Sequence, residues 1–119
     1  MGREMRTKTA TIANGAAVSD VINTTGFTYM VVITPAVWTD ANIGFKVSAD
    51  NSTFVTLYDE DGAPVQIGGI ATAAAGAYTA PAEVAGARFV KLWSKSTTDA
   101  TETDTNQGAA RTLVVEFTA

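Results

Sequence analysis

The chain contains no cysteine and no histidine. Without cysteine there is no disulfide and no thiol nucleophile, and without histidine the commonest general base is missing. The two absences together remove the usual zinc and copper sites and every triad built on histidine. Charge is also sparse, at 17% of residues, against about 25% in an ordinary domain. No apolar run approaches the roughly 20 residues that span a bilayer as a helix. The opening Met1-Gly2-Arg3-Glu4-Met5-Arg6 carries bases with no apolar stretch behind them, so it does not read as a secretory signal. Asn23-Thr24-Thr25 and Asn51-Ser52-Thr53 match the glycosylation sequon, and without such a signal they read as chance. The expectation is a non-enzymatic protein without membrane or cofactor, made in a cytoplasm and free to leave it inside a larger assembly.

What is present fits one domain. A chain of 119 residues buries roughly two-thirds of its unfolded surface without a staple. Alanine and threonine take much of the place of the missing charges. A surface of that kind suits coverage by neighbours, because charged side chains are depleted at interface cores. Residues 1–9 hold Arg3, Arg6 and Lys8 against Glu4, whereas residues 10–119 hold five bases and eleven acids. The reading is a basic N-terminal arm, 1–9, on an acidic body, 10–119. Such an arm adds electrostatic attraction toward a partner, so Arg3, Arg6 and Lys8 are the candidate partner-binding residues. Three bases are too few for nucleic acid.

The body reads as short strands. In the stretch Ile43 to Gly62, Ile43, Phe45, Val47 and Ala49 alternate with Gly44, Lys46, Ser48 and Asp50, and a period of two puts the apolar set on one face. Asp50-Asn51-Ser52 closes a turn, and Thr53 to Tyr58 returns. The rest of the chain is expected to lie around this hairpin. Thr7–Ile12 is a first strand and Asn14-Gly15 a turn. Phe27–Ile33 is apolar on both faces, which predicts a central strand covered on both sides, and Pro35 stops it. Trp38 falls in a connection, as core packing. Pro64–Ile67 and Ala77–Ala80 are short strands, with a helical turn near Glu83. Arg88–Ser94 sets Phe89 and Trp93 on one face, Val90 and Leu92 on the other. Residues 94–109 form one long polar loop, of the kind usually functional or disordered, and Arg111–Thr118 is the last strand. Seven to nine short strands without a convincing helix predict an all-β fold, a single antiparallel β-sandwich, jelly-roll-like or immunoglobulin-like.

Few side chains offer chemistry. Asp59, Glu60 and Asp61 form the acidic cluster of the ordered region and the one calcium candidate, since calcium takes six to eight oxygens. Asp-Glu-Asp-Gly lacks the alternating acids and closing glutamate of a calcium loop, and a solvated turn is the simpler reading. Five aromatic residues, Tyr29, Trp38, Tyr58, Tyr78 and Trp93, could form a platform for sugars. Core packing suits most of them, and Tyr58 and Tyr78 are the two expected at the surface.

The run FKVSADNSTFVTLYDEDG resembles an "F-x-V-S-x-D-G-x-x-F-x-x-L" motif of small β-sandwich modules, found in discoidin-like carbohydrate-binding domains and in virion proteins of tailed bacteriophages. Phe45, Val47, Ser48, Asp50, Phe54 and Leu57 match it, with Asn51 where glycine is usual. Further blocks, from ATIANGAAVSDVINTTGFTYMVVITPAVWTDANIGFKVS through AGARFVKLWS to NQGAARTLVVEF, resemble a small phage protein over most of the chain. The resemblance implies a virion component, a capsid decoration (cement) protein that binds the major capsid protein or another virion protein as a homo-oligomer, with a trimer plausible. The alternatives it leaves open are a carbohydrate-binding module of a spike or fibre, with Tyr58 and Tyr78 as glycan contacts, and a neck or tail accessory protein.

Overall fold

Strand β4 (Asn42–Ser48) is the hub of one of two antiparallel sheets in the computed structural model, which describes residues 5–98 and 102–118. The other strands, in chain order, are β1 (Met5–Ile12), β2 (Ile22–Asn23), β3 (Tyr29–Ile33), β5 (Val55–Thr56), β6 (Gln66–Ile67), β7 (Ala77–Thr79), β8 (Phe89–Lys95) and β9 (Arg111–Thr118). A short 3₁₀ turn at Ala82–Gly86 lies between β7 and β8. Sheet A has the order β1-β9-β3-β7, and sheet B the order β2-β8-β4-β5, with β6 also paired to β4.

This order has a simple origin. The chain is one long hairpin: β1 pairs with β9, β2 with β8, β3 with β7, and β4 with β5 and β6. Rolling that hairpin up adds the pairs β3·β9 and β4·β8. The result is the jelly roll, one of the two architectures the strand pattern allows. The Ile43–Gly62 stretch is its innermost turn, which is why the remaining strands wrap around it. Its return arm is shorter than the sequence suggests, with β5 only Val55–Thr56.

Alternation then builds the core. Ala10 and Ile12 of β1, Leu113, Val115 and Phe117 of β9, and Met30 and Val32 of β3 face Ile43 and Phe45 of β4 and Val90 and Leu92 of β8. Each large side chain fully buried there stabilises the fold by about 1.5–3 kcal/mol. Trp38 fills one end, as expected of it, and its Nε1–H donates to the Ala41 carbonyl at 3.0 Å.

Three expectations change. The boundary at residue 9 falls inside β1, which begins at Met5 and pairs with β9 along its whole length, so Arg6 and Lys8 belong to a paired strand and not to an arm. Strand β3 is central in the hydrogen-bonding direction, yet among the described residues nothing covers its outer face at Tyr29, which is 66% exposed. The segment 94–109 is not a structureless loop. Ser96 N–H donates to Thr103 O (2.9 Å) and Thr105 N–H to Ser94 O (3.0 Å), so Thr103–Thr105 runs as a short extension beside β8.

Candidate functional site

The alternation that fills the core leaves a second face on sheet A. Met5, Thr7, Thr9 and Thr11 of β1 point outward there, with Thr112, Val114, Glu116 and Thr118 of β9, Tyr29, Val31 and Ile33 of β3, and Ala77 and Thr79 of β7. Glu116 is the single charged residue of this four-strand surface. Arg6 and Lys8 point the other way, at the edge of the sandwich. The Arg6 guanidinium carbon lies 5.4 Å from the centre of the Phe27 ring, and Lys8 is exposed. Arg3 lies outside the described residues.

The hairpin motif is used to build a turn. The Asp50 carboxylate accepts from Ser48 Oγ–H (2.8 Å) and from the N–H groups of Ser52 (2.9 Å) and Thr53 (3.0 Å). These bonds, the one from Thr53 above all and then those from Ser52 and Ser48, hold its pKa down at about 2. Asn51 has φ +60°, the left-handed region where glycine is easiest and Asn tolerated. Its place in the motif is therefore compatible with backbone geometry: Asn51 holds a conformation that glycine also adopts without strain. Ser48 and Asp50, two of the matching positions, are spent on that same turn.

The second acidic turn is built in the same way. One Asp59 carboxylate oxygen accepts from the N–H groups of Asp61 and Ala63, both at 2.9 Å, and Gly62 follows at φ +80°. Asp59, Glu60 and Asp61 are not brought together as ligands; among the described residues no group of three or more acidic side chains is placed to hold a metal. Tyr58 is about half exposed, at 49%. Tyr78 is half-buried, and its hydroxyl accepts from Ala71 N–H at 2.9 Å. It packs inward from β7 opposite Val32, so it does not join Tyr58 in a platform. Tyr29 is more open than either, and its position on an apolar strand hid this.

The outer face of sheet B is where reading the sequence falls shortest. Trp93 is buried, but on the face away from the core, opposite Gly44 of β4. Lys46 Nζ sits 3.8 Å from the ring centre and donates to Thr56 Oγ1 at 2.9 Å. The indole N–H donates to Asp104 Oδ1 at 2.7 Å. Beside it Lys95 is fully buried; its Nζ donates to Gln66 Oε1 at 2.7 Å and lies 3.6 Å from Glu102 Oε2. Gln107, also buried, bonds Thr39, Ser94 and Arg111 through its amide. The polar segment thus folds back and covers this face of sheet B with Asp104 and Glu102, while Gln107 turns to Ser94 on the other face of β8. Two surface hollows remain notable. One, of about 230 Å³, is apolar and lined by Phe27, Tyr29, Met30, Val84 and Phe117 among others. The other, of about 660 Å³, is open and shallow, between Val47–Asp50, Val55 and Ala87–Arg88.

No helix among the described residues is long and apolar enough to cross a membrane. No protein-family model matches the chain, and no curated protein matches it. Among solved structures it is similar to the SPBc2 prophage-derived protein YomS, with a TM-score of 0.62 and 11% identity, over 100% of this chain and 96% of that one. At that identity the likeness is one of fold, and it extends over both sheets from end to end.

Proposed function

We propose that the chain is a non-enzymatic structural protein of a tailed-phage particle, a decoration protein that binds the assembled head as an oligomer. The observation that carries this reading is the fold likeness to a prophage protein over the entire chain. It agrees with the sequence blocks that resemble small virion proteins, and with the jelly roll, an architecture used by viral capsid and lectin domains. The outer face of sheet A supports an oligomer. Four strands wide and carrying one charge, it has the composition of a surface that neighbours cover. Cyclic closure of three copies would bury it. Binding only the assembled shell stabilises it by mass action, by RT ln(1 + [L]/Kd) for each site.

The test is co-sedimentation with purified phage heads. Hundreds of copies per particle, and heads that lose genome on heating when stripped of the protein, are expected. A handful of copies would place it at a neck, tail or spike instead, and no binding would overturn the reading. Arg6 and Lys8 should be tested as partner contacts by charge reversal and not by deletion, because removing residues 2–8 would strip half of β1 from β9. A second reading, a carbohydrate-binding module, is favoured by Tyr29 at the rim of the apolar hollow; a glycan array with no signal would reject it.

A further inference from the structure

We propose that the free edge of β1 is a strand-addition site for an extended, acidic segment of a partner protein. The geometry begins at Thr11. Its N–H donates to Asp20 Oδ1 at 2.9 Å, and its carbonyl accepts from Asp20 N–H at 3.3 Å. Both backbone groups of Thr11 therefore point away from β9. In an antiparallel ladder alternate residues share one direction, so the N–H and C=O groups of Met5, Thr7 and Thr9 point the same way. Among the described residues β1 has no strand on that side, and residues 5–9 are all exposed.

Open edges are a hazard that folded proteins blunt. Here the blunting is partial. Asp20 occupies the edge at Thr11 and stops any added strand from running further. The other sheet ends are short: β7 has three residues, and β2 and β5 have two each. Strand β1 thus keeps the one long ladder available for addition among the described residues, three residues with six outward backbone groups. Main-chain bonds of this kind give affinity, and the alternating side chains give specificity.

Charge selects the occupant. Arg6 and Lys8 alternate with these three residues, and no ion pair engages Lys8 among the described residues. Their own backbone groups bond β9, so on the open side they would meet an added strand at its non-hydrogen-bonded positions, where side chains come closest. A second copy of β1 fits poorly. Every antiparallel register that engages two or more of Met5, Thr7 and Thr9 sets Arg6 against Lys8, or one of them against itself, and like charges directly opposite are destabilising. A segment with acids at every second position reverses that sign at both. The inference stands on strand geometry and is independent of the virion reading.

The test uses the full ¹⁵N-labelled chain with two synthetic peptides, one alternating glutamate with threonine and one alternating lysine with threonine. The glutamate peptide is expected to shift and protect the amides of Met5, Thr7 and Thr9, and the lysine peptide to leave them unmoved. Thr7→Pro removes an N–H that points away from β9, so it keeps the native ladder and should abolish the effect. The double variant Arg6→Glu, Lys8→Glu should transfer the preference to the lysine peptide, and it decides the matter if the proline variant does not fold. Unmoved amides with the glutamate peptide, equal response to both peptides, or undiminished binding by Thr7→Pro would each overturn the proposal. So would a dimer in sedimentation that Thr7→Pro dissolves, since the occupant would then be a second copy.

Discussion

Asp50 illustrates how a motif residue can serve shape and not chemistry. Three donors converge on its carboxylate and depress its pKa to about 2. In the unfolded chain an aspartate titrates near 3.9. A carboxylate with a lowered pKa favours the folded state above the unfolded value, and this contribution disappears as pH falls from about 4 toward about 2. The stability difference between the parent and Asp50→Asn should therefore shrink across that window, as thermal midpoints against pH would show. The amides of Ser52 and Thr53 should titrate with the same midpoint by NMR; if they move independently of each other, the shared carboxylate does not hold them. Asn51 is legible for the same reason. Its φ of +60° suits Gly and Asn, so Asn51→Gly should leave the thermal midpoint nearly unchanged. Asn51→Val should cost roughly 1–2 kcal/mol, because a Cβ-branched side chain is strained in the left-handed region. The matches at Ser48 and Asp50, and the departure at Asn51, therefore inform about a turn and say nothing about a ligand.

At the scale of the element, β4 and β8 show what a period of two reveals and what it leaves dark. Alternation assigned Ile43, Phe45, Val90 and Leu92 to one face, and the core holds all four. It also put Trp93 on the opposite face of β8, but it could not say what covers that face. The cover comes from Asp104 and from Lys46 across the sheet, contacts of a kind that no local pattern encodes. Lys95 was hidden more deeply still. Lysine is almost never fully buried unless paired, and its partners are Gln66, from another strand, and Glu102, from the polar segment. Gly44 marks the spot in retrospect. A Cβ there would lie 2.8 Å from Trp93 Cε3 and 2.9 Å from Lys95 Cδ, so the indole lies on the glycine because the glycine has no side chain. Gly44→Ala should accordingly cost about 1–3 kcal/mol, read as a lower midpoint in urea. Trp93→Phe keeps most of the apolar area and removes the bond to Asp104. Amide exchange should then quicken at Ser96 and Thr105, which hold the short extension to β8, while core amides of β9 stay protected. Equal loosening of both would mean that the roof and the core unfold as one unit.

The whole molecule is a rolled hairpin with unlike outer faces, and the difference bears on what it does. Sheet B is roofed by residues of its own chain, and the lysines it carries lie against aromatic rings: Lys46 over Trp93, and Lys91 over Phe54 at 4.4 Å. Among the described residues sheet A has no such roof. The sequence suggested that Phe27–Ile33 is covered on both sides, and the apolar residues are there; the fold supplies cover for one side, which leaves Tyr29, Val31 and Ile33 facing outward beside Val114. Strand alternation cannot distinguish cover from the same chain from cover by another, and this surplus is the surface that the proposed oligomer would bury. Charge placed on this face separates the two. Val31 pairs across the sheet with Glu116, and Val114 with Ile33 and Thr9. A lysine at position 31 would stand beside Glu116, an opposite-charge cross-strand pair that a sheet accepts, and neither valine belongs to the core. The double variant Val31→Lys, Val114→Lys should therefore keep its stability within about 1 kcal/mol, the usual range for two surface changes. It should nonetheless sediment as a monomer and lose occupancy on phage heads, because desolvating two added lysines in an apolar contact is costly. Parental occupancy with an unchanged sedimentation coefficient would show that the outer face of sheet A is not where copies meet.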